Sequence, residues 1–402
     1  MKKFLNLFLF IMFCIIIVSC SNVKSQEVFS QNNVQNDIQI NKNIESEKTM
    51  AKITAVGDIM VNDYQYNEAY NHDTGEYNFM HNFQDMKKYF EKSDILIGNL
   101  ETTFAGAEKG YSSYPLFNTP DSFLDAIKDA GFDVLSTVNN HCADMRSTGI
   151  YHTIDLLDEY NIEHIGTYKT QQEQEQTLIK DVNGIKIAFL AYTYGTNGIP
   201  IPDDCYINIL DEEVIKNDIT KAKEISDLIV IMPHMGIEYE IYPRDEFKQW
   251  VDFMFNAGAD IIIASHPHVL QPMEYRTLED GRTGFVIYSM GNFISSQTTP
   301  PRNASIVLNI NVSKTGNNKA VIDNVSFVPI WTQFRGTDGK NHFVVRSVYE
   351  MLTLGVGEQK NLLRQKDISR LWDIHYETTS LLLGGEGVPI EEMKDEYIFP
   401  KP

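Results

Sequence analysis

Short apolar segments that each lead into a polar, ligand-type side chain recur through the central part of this chain. The six motifs concerned are Gly57-Asp58, Asn99-Leu100-Glu101, Asn139-Asn140-His141, His234, Ser265-His266-Pro267-His268 and Gly291-Asn292. Strands of a parallel sheet that end in such side chains bring them together at one edge, which is where α/β proteins bind ligands. The pattern therefore predicts an α/β fold with one site at the carboxyl edge of a parallel sheet.

The order of the predicted elements divides the chain into an α/β core and an antiparallel half. Up to about residue 264 strands alternate with helices, among them a helix at 83–92 and a helix at 121–130 that Asp121 would cap. Consecutive strands follow as far as residue 330, and the chain beyond about residue 343 is polar and helical. This order predicts one domain at 51–342, in which the α/β core gains an antiparallel half, and a helical C-terminal extension at 343–402.

The first twenty residues have the pattern of a bacterial lipoprotein signal peptide. Two lysines precede an apolar segment at 4–18, which is short for a membrane span of about 20 residues. The segment leads into Ile17-Val18-Ser19-Cys20, which resembles a lipobox and predicts lipidation of Cys20; an uncleaved N-terminal anchor is the alternative. Residues 21–50 are polar and aperiodic, which predicts a disordered tether. We therefore expect an extracellular, lipid-anchored protein on the outer face of the cytoplasmic membrane.

The net charge of −21 limits the partners of the chain. No basic stripe in the sequence could replace the counterions of a nucleic acid, so we expect no nucleic-acid partner. An anionic polymer would need a metal ion, or a local group of Lys and Arg side chains, to offset the general repulsion.

Cys142 and Cys205 are the cysteines beyond the targeting segment. In an exported chain they could form one disulfide, although the sequence does not show whether they meet in space. The position of Cys142 directly after His141 also raises a nucleophilic role. A packing thiol or half of a disulfide is the favoured interpretation, because neighbours in sequence are poor catalytic partners.

The side chains in the six motifs suit a metal centre. Carboxylate, amide and imidazole groups are ligands for Mn²⁺, Zn²⁺ or Fe²⁺ rather than for a soft metal. Two such ions about 3.5 to 4 Å apart would activate a water and hold an anionic substrate. Each motif alone has a structural interpretation as a turn, a cap or a packed residue. Their joint occurrence at successive strand ends favours a shared site.

The motifs and their flanking residues follow one another in an order and spacing that point to a family. They are Ala55-Val56-Gly57-Asp58-Ile59-Met60, Gly98-Asn99-Leu100-Glu101, Val138-Asn139-Asn140-His141 with Asp144, Pro233-His234-Met235-Gly236-Ile237-Glu238-Tyr239, Ser265-His266-Pro267-His268-Val269 and Ser289-Met290-Gly291-Asn292-Phe293. They resemble the CapA (PgsA-like) family of poly-γ-glutamate capsule synthesis, which is related to the calcineurin-like metallophosphoesterases. The resemblance covers about residues 51–335. It implies a four-layer αββα sandwich of metallophosphoesterase type, with a two-metal site at the sheet edge.

The resemblance also implies roles for single residues. The implied ligands are Asp58 and His268 for the first ion, and Asn140, His234 and His266 for the second. His141 would be the general acid, or the charge that stabilises the transition state. Glu238, Tyr239 and Asn292 would be substrate contacts, although a surface role suits Glu238 and Tyr239 equally well and Asn292 could instead orient other ligands.

Two positions depart from the usual pattern of the superfamily. Met60 stands where a His is usual in the Asp-x-His motif, so the first ion loses one ligand. The usual bridging Asp is also missing. Glu101 is the nearby carboxylate able to bridge two cations, and Asn99 would be a supporting ligand.

The lipobox-like segment predicts a surface lipoprotein, and the resemblance implies that it acts, as a metal-dependent hydrolase-like protein, in the synthesis, export or anchoring of poly-γ-glutamate. Its implied partners are the membrane, other capsule-synthesis membrane proteins, and an anionic polymer or phosphoester as substrate. Two alternatives remain open: a non-catalytic module that binds a polyanion during capsule assembly, and a general extracellular phosphodiesterase.

Overall fold

The computed structural model describes residues 48–401, in which an alternation of strands and helices is followed by consecutive strands and then mainly by helices. The strands are β1 (Lys48–Ile59), β2 (Tyr70–Asn71), β3 (Glu76–Tyr77), β4 (Ile95–Leu100), β5 (Val134–Ser136), β6 (Glu163–Ile165), β7 (Thr167–Tyr168), β8 (Leu178–Val182), β9 (Ile185–Thr193), β10 (Tyr206–Ile207), β11 (Leu228–His234), β12 (Ile261–Ile263), β13 (Met273–Thr277), β14 (Thr283–Ile287), β15 (Asn292–Ile294), β16 (Ala304–Thr315), β17 (Val321–Arg335), β18 (Asn341–Ser347) and β19 (Tyr397–Phe399). The helices are α1 (Asp63–Ala69), α2 (Lys87–Phe90), α3 (Phe123–Ala130), α4 (Arg146–Glu159), α5 (Gln171–Gln174), α6 (Glu212–Ile225), α7 (Asp245–Ala257), α8 (Val348–Thr353), α9 (Val356–Leu362) and α10 (Gln365–Leu383), with 3-10 helices at Met80–Asn82, Ala107–Lys109 and Ile390–Glu392. The predicted signal peptide with Cys20, and the predicted tether as far as residue 47, lie outside the described residues.

Two sheets organise the described residues. The nine-stranded sheet has the order β18-β17-β16-β1-β4-β5-β6, with β15 beside β1 and β19 beside β17. The six-stranded sheet has the order β13-β14-β12-β11-β9-β8. Each sheet has a parallel part, β1-β4-β5-β6 in one and β9-β11-β12-β14 in the other. The predicted antiparallel half is confirmed, since β16, β17 and β18 extend the first sheet in antiparallel fashion from β1.

The two sheets pack face to face. Buried apolar side chains of both sheets form one cluster, with Ile53 and Ile97 from the first sheet and Phe189 and Val230 from the second. The outer face of the first sheet packs on α2 and α3, and the outer face of the second packs on α6 and α7. The order of layers is helix, sheet, sheet, helix. The predicted four-layer αββα sandwich is therefore confirmed.

The predicted helix at 83–92 is mostly wrong. Only α2 is α-helical in that segment, and the chain before it forms the 3-10 helix at Met80–Asn82. The rings of Phe83 and Phe90 both pack on Phe293, and their centroids lie 5.4 and 5.9 Å from the centroid of the Phe293 ring. The aromatic core therefore determines the path of this segment, and the helical spacing of its apolar residues does not.

The predicted cap of α3 is wrong as well. The helix begins at Phe123, and Asp121 does not cap it. Oδ2 of Asp121 instead lies 2.9 Å from Nε2 of His152 on α4. The predicted end at Gly131 is confirmed, because Gly131 adopts the left-handed conformation with φ 92° that favours glycine after a helix.

Both predicted boundaries of the domain fall inside strands. β1 begins at Lys48, three residues before the predicted start of the domain, because it pairs with β16 from Lys48 onward. Residue 343 lies within β18, which continues to pair with β17 as far as Ser347. The C-terminal segment is mainly helical, but it also supplies β19 to the nine-stranded sheet. Among residues 48–401, no helix has both the length and the apolar character that a membrane span requires.

Cys142 and Cys205 are buried free thiols. Both belong to the core between the two sheets. Burial raises the pKa of the Cys142 thiol to about 12, which leaves it protonated at neutral pH and a poor nucleophile. The interpretation as packing thiols fits this environment.

Candidate metal centre

The predicted site residues converge where the carboxyl ends of the two parallel strand sets face each other. β1 and β4 are neighbours in parallel register, and Asp58 pairs with Asn99. In the other sheet His234 ends β11 and forms a bridge with Ser265, directly after β12. The site therefore lies between two sheets. The expectation of a single sheet edge from the residue pattern is corrected, because the strands that carry the motifs belong to both sheets.

The first group of donors is Asp58, Glu101 and His268. Their ligand atoms all lie within 4.8 Å of one another, and all three residues are buried. His268 Nδ1 lies 3.1 Å from Asp58 Oδ2, and its Nε2 lies 3.7 Å from Glu101 Oε1. His268 thus has one ring nitrogen held by Asp58 and the other turned toward Glu101.

The second group is Glu101, His234 and His266, again buried and within 4.8 Å. His234 Nε2 lies 3.5 Å from Glu101 Oε1 and 2.7 Å from the side-chain oxygen of Asn140. The rings of His234 and His266 meet at a centroid distance of 4.9 Å. Glu101 belongs to both groups, which is the position expected of a bridging carboxylate.

Two buried atoms at the centre have no hydrogen-bond partner among the described residues. They are Oε1 of Glu101 and Nδ1 of His266. An unpaired buried polar atom costs about 1 to 3 kcal/mol. A divalent cation in the second group would satisfy both atoms, and carboxylate with imidazole is a donor set that suits Mn²⁺, Zn²⁺ or Fe²⁺. The residues present therefore fit a metal centre.

The protonation state of the two histidines suits the binding of a cation, whereas Glu101 has to release its proton when a cation binds. Burial, and then the neighbouring carboxylate of Asp58, hold the pKa of Glu101 well above its ordinary value. Burial, and then the other imidazoles, hold the pKa of His234 well below its ordinary value and lower that of His266 to about 3. The two histidines are therefore neutral at physiological pH, which is the state in which imidazole binds a metal.

Asn99 lies between the two groups. Its Nδ2 donates to Asp58 Oδ1 at 2.8 Å and to Glu101 Oε2 at 3.4 Å, and it lies 3.3 Å from His234 Nδ1. The amide nitrogen, and not the oxygen, faces the carboxylates. Asn99 thereby orients Asp58 and Glu101 in this structure, and its role as a supporting ligand stays a prediction.

The backbone after β12 is bent so that both histidines of the His-x-His motif face the site. His266 and His268 have φ angles of 110° and 58°, in the region that residues other than glycine rarely adopt. Such conformations cost about 1 to 3 kcal/mol each and persist where the surroundings impose them. Gly236 allows this turn to pack closely, since a Cβ on it would lie 2.7 Å from Pro267 Cγ.

A close backbone contact also explains the glycine before Asp58. The amide of Asp58 donates to the carbonyl of Gly291 at 2.9 Å. A Cβ on Gly57 would lie 1.9 Å from that carbonyl oxygen, so a larger residue does not fit. The contact brings Asn292 beside Asp58, and its Oδ1 lies 3.1 Å from His268 Nδ1. Asn292 is buried and contacts His268, and its role as a substrate contact or as an orienting residue stays a prediction.

His141 is held in a single orientation next to the metal-binding groups. Its Nδ1 lies 2.8 Å from Asp144 Oδ2, and its backbone amide donates to Asn139 Oδ1 at 3.0 Å. The ring of Phe117 packs against it edge-on, at a centroid distance of 4.6 Å. Among the described residues its Nε2 makes no hydrogen bond, so this nitrogen is available to a substrate. Asp144 was part of the motif, but sequence reasoning gave it no role.

Two tyrosines form the boundary between the buried histidines and solvent. The ring of Tyr194 lies 4.7 Å from that of His266, and the ring of Tyr239 lies 6.2 Å from that of His268. Both are almost half exposed, at 44% and 46%. Sequence reasoning missed Tyr194, although it directly follows the carboxyl end of β9, where the strand-end rule would have found it.

The predicted substrate contacts at the rim are exposed. Glu238 and Tyr239 lie at the surface, next to the Ser265–His268 turn, and the amide of Tyr239 donates to Pro267 O at 2.8 Å. The guanidinium of Arg302 lies 4.6 Å from the centre of the Tyr239 ring. A positive charge therefore stands at the rim of a site whose interior is carboxylate and imidazole.

Comparison with known proteins decides the family. Residues 52–297 match the family described as bacterial capsule synthesis protein PGA_cap. The chain belongs to this family. Two characterised relatives of this PGA_cap protein are a capsule biosynthesis protein CapA of Bacillus anthracis and a PGA biosynthesis protein CapA of Bacillus subtilis strain 168, each 30% identical over 266 residues. The alignments cover 64% and 65% of this chain, and 62% and 67% of those proteins.

The likeness to solved structures is weaker. The calcineurin-like phosphoesterase YfkN of Bacillus subtilis is 13% identical to the PGA_cap protein and has a TM-score of 0.42, with 82% of this chain and 99% of that chain covered. Similarity at that level carries no information about the reaction. The family match itself includes every residue of the candidate metal centre, from Asp58 to Asn292, and stops before Arg302 and the C-terminal strands.

Proposed function

We propose that this PGA_cap protein is a metal-dependent hydrolase that acts in the assembly of a poly-γ-glutamate capsule at the cell surface. The single observation that carries the hydrolase proposal is the position of Glu101. Its carboxylate belongs to two buried donor groups at once, and its Oε1 has no hydrogen-bond partner among the described residues. The names of the two CapA relatives support the link to capsule assembly.

The residues around Glu101 have two roles in the proposed hydrolysis: some would bind metal ions, and others orient the ligands. A pair of divalent ions, when bound, lowers the pKa of a water and polarises the bond to be broken. Asp58, Glu101 and His268 would hold one ion, and Glu101, Asn140, His234 and His266 the other. Asn99 and Asn292 keep Asp58, Glu101 and His268 in place through the hydrogen bonds described above.

His141 supplies the proton for the leaving group. Its Nδ1 faces Asp144, which keeps the ring in one orientation. The proton on Nε2 is then directed to the substrate. Protonation of a leaving group by a positioned side chain contributes about 10²- to 10⁴-fold to the rate.

An anionic substrate has to approach a chain of net charge −21. Arg302 at the rim offers a local positive charge, and the exposed faces of Tyr194 and Tyr239 offer contact area beside the buried histidines. Arg244, Arg276 and Arg282 are occupied by ion pairs with neighbouring carboxylates. The route past Tyr239 and Arg302 therefore suits a carboxylate- or phosphate-bearing chain best.

The test is turnover by the full chain, purified in detergent and supplied with Mn²⁺. Poly-γ-glutamate should become shorter, as measured by size-exclusion chromatography and by new amino termini. His141→Ala should slow this by about 10²- to 10⁴-fold. The matched control is His152→Ala, because His152 is also paired with an aspartate, Asp121, and lies outside the site.

The other outcomes contradict the proposal in different ways. Nitrophenol release from bis(p-nitrophenyl) phosphate with intact polymer would make the protein a general phosphodiesterase. Binding of the polymer without shortening, unchanged in His141→Ala, would make it a non-catalytic module.

We also propose that the protein is anchored to the outer face of the cytoplasmic membrane through a lipid on Cys20. The lipobox-like end of the N-terminal apolar segment supports this. Cys20→Ser should move the protein from the membrane fraction to the soluble fraction of the cell culture. Retention of Cys20→Ser in the membrane would contradict lipid anchoring and would favour an uncleaved anchor.

A further inference from the structure

A second group of metal-type donors lies apart from the candidate metal centre. It consists of Glu68 on α1, His81 in the 3-10 helix Met80–Asn82, and His342 on β18, and we refer to it as the outer cluster. Their ligand atoms all lie within 4.8 Å of one another. His342 stands beyond residues 52–297, so the family match does not account for the cluster.

The two distances measured in the outer cluster, one of them a hydrogen bond, bracket the donor spacing of a coordination sphere. Glu68 Oε2 lies 2.9 Å from His81 Nε2, and Glu68 Oε1 lies 3.8 Å from His342 Nδ1. Donors around a tetrahedral Zn²⁺ with bonds of about 2.0 to 2.2 Å are about 3.3 to 3.6 Å apart. The two imidazole rings are stacked at 13°, with centroids 5.6 Å apart, so that both present nitrogens to the same carboxylate.

The backbone positions of the three donors are fixed by other contacts. The side chain of Asn82, next to His81, donates to the carbonyl of Phe343, next to His342, at 2.6 Å. At the start of α1, which carries Glu68, the backbone amide of Asn62 donates to Oε1 of Gln65 at 2.9 Å. Only small side-chain rotations would be needed to close the donors around an ion.

The surroundings suit entry and retention of a cation. The three side chains are 15%, 28% and 39% exposed for Glu68, His81 and His342, so an ion could enter from solvent and keep a water ligand. The carboxyl group of Glu68 faces both imidazoles, one through each oxygen.

We propose that Glu68, His81 and His342 bind one divalent transition-metal ion of the Zn²⁺ class, with an open position for water. Two imidazoles and one carboxylate are a common protein ligand set for Zn²⁺. The ion ties the C-terminal strand β18 to the segment that directly follows β1, and so joins a part of the chain outside the family match to the part that carries Asp58. The inference does not depend on the proposed hydrolase function.

The test is the Zn²⁺ content of the full chain, measured by elemental mass spectrometry after equilibration with Zn²⁺ and gel filtration. His342→Ala and His81→Ala should each lower the content by about one ion per chain. They should also reduce the rise in Tm that Zn²⁺ causes. His72→Ala is the matched control, because His72 is an exposed histidine four positions from Glu68 that packs on Tyr70 instead.

Glu101→Gln separates the two sites, since it should lower metal binding at the candidate metal centre and leave the ion in the outer cluster. Equal Zn²⁺ content and equal Tm shifts in the wild-type chain, His342→Ala and His81→Ala would overturn the proposal. The outer cluster would then be a hydrogen-bonded ion pair only.

Discussion

At the scale of the residue, the proposed function depends on Glu101, whose carboxylate is costly to bury in the metal-free protein. It is fully buried, it lies close to Asp58, and its Oε1 has no hydrogen-bond partner among the described residues. Burying an unpaired carboxylate is costly, and the group responds by holding its proton more tightly. Divalent cations on either side would remove that cost. Glu101 thus destabilises the folded protein when the site is free of metal, and it would stabilise the folded protein as a ligand when metal is bound.

Glu101→Gln should therefore stabilise the metal-free protein at neutral pH. The raised pKa of Glu101 means that the folded state holds a proton which the unfolded state releases above about pH 4.3. The stability of the wild-type chain in chelator should accordingly fall as pH rises from there through the raised folded pKa, and that loss should be absent from Glu101→Gln. The measurement is Tm against pH for both chains in chelator.

The same substitution should weaken metal binding at the centre by more than about 100-fold, because even partners that only orient ligands are worth about 10- to 100-fold. Added Mn²⁺ should raise the Tm of the wild-type chain much more than that of Glu101→Gln. Identical Tm–pH curves, together with identical responses to Mn²⁺, would show that Glu101 is not the shared ligand.

At the scale of the element, the sequence predicted the strands that end in the site better than the segments between them. Asp58, His234 and the His-x-His motif follow continuous apolar segments, and such segments form buried parallel strands whatever packs on them. The true conformation of residues 83–92 could not be predicted from the local sequence. Phe83 and Phe90 are both placed by contact with Phe293, which is more than 200 residues away in sequence. Tertiary packing there overrides local periodicity.

The bend after β12 was likewise beyond sequence reasoning. On a strand, the side chains of His266 and His268 would lie on the same face, because the two residues are two positions apart. In a loop that contains Pro267, the two side chains could point in different directions. The turn in which both have positive φ angles packs closely on Gly236 through Pro267. A contact between segments thirty residues apart cannot be derived from either segment alone.

At the scale of the whole molecule, the candidate metal centre depends on chain segments outside the family match. β1, which ends in Asp58, lies between β4 on one side and β16 on the other, and it pairs with β16 from Lys48 to Ala55. β17, β18 and β19 then extend the sheet beyond residue 297. The residue pattern and the family resemblance both indicated a site at one sheet edge, whereas the structure divides the site between two sheets.

The most direct test of the account is the metal content of the full chain with the outer cluster removed by His81→Ala. Elemental mass spectrometry after equilibration with Mn²⁺ should find about two ions per chain, as a two-metal site requires. Adding His234→Ala should lower the content, because His234 belongs to the group around Glu101. A substoichiometric content that His234→Ala leaves unchanged would contradict a two-metal centre and, with it, hydrolysis at this site.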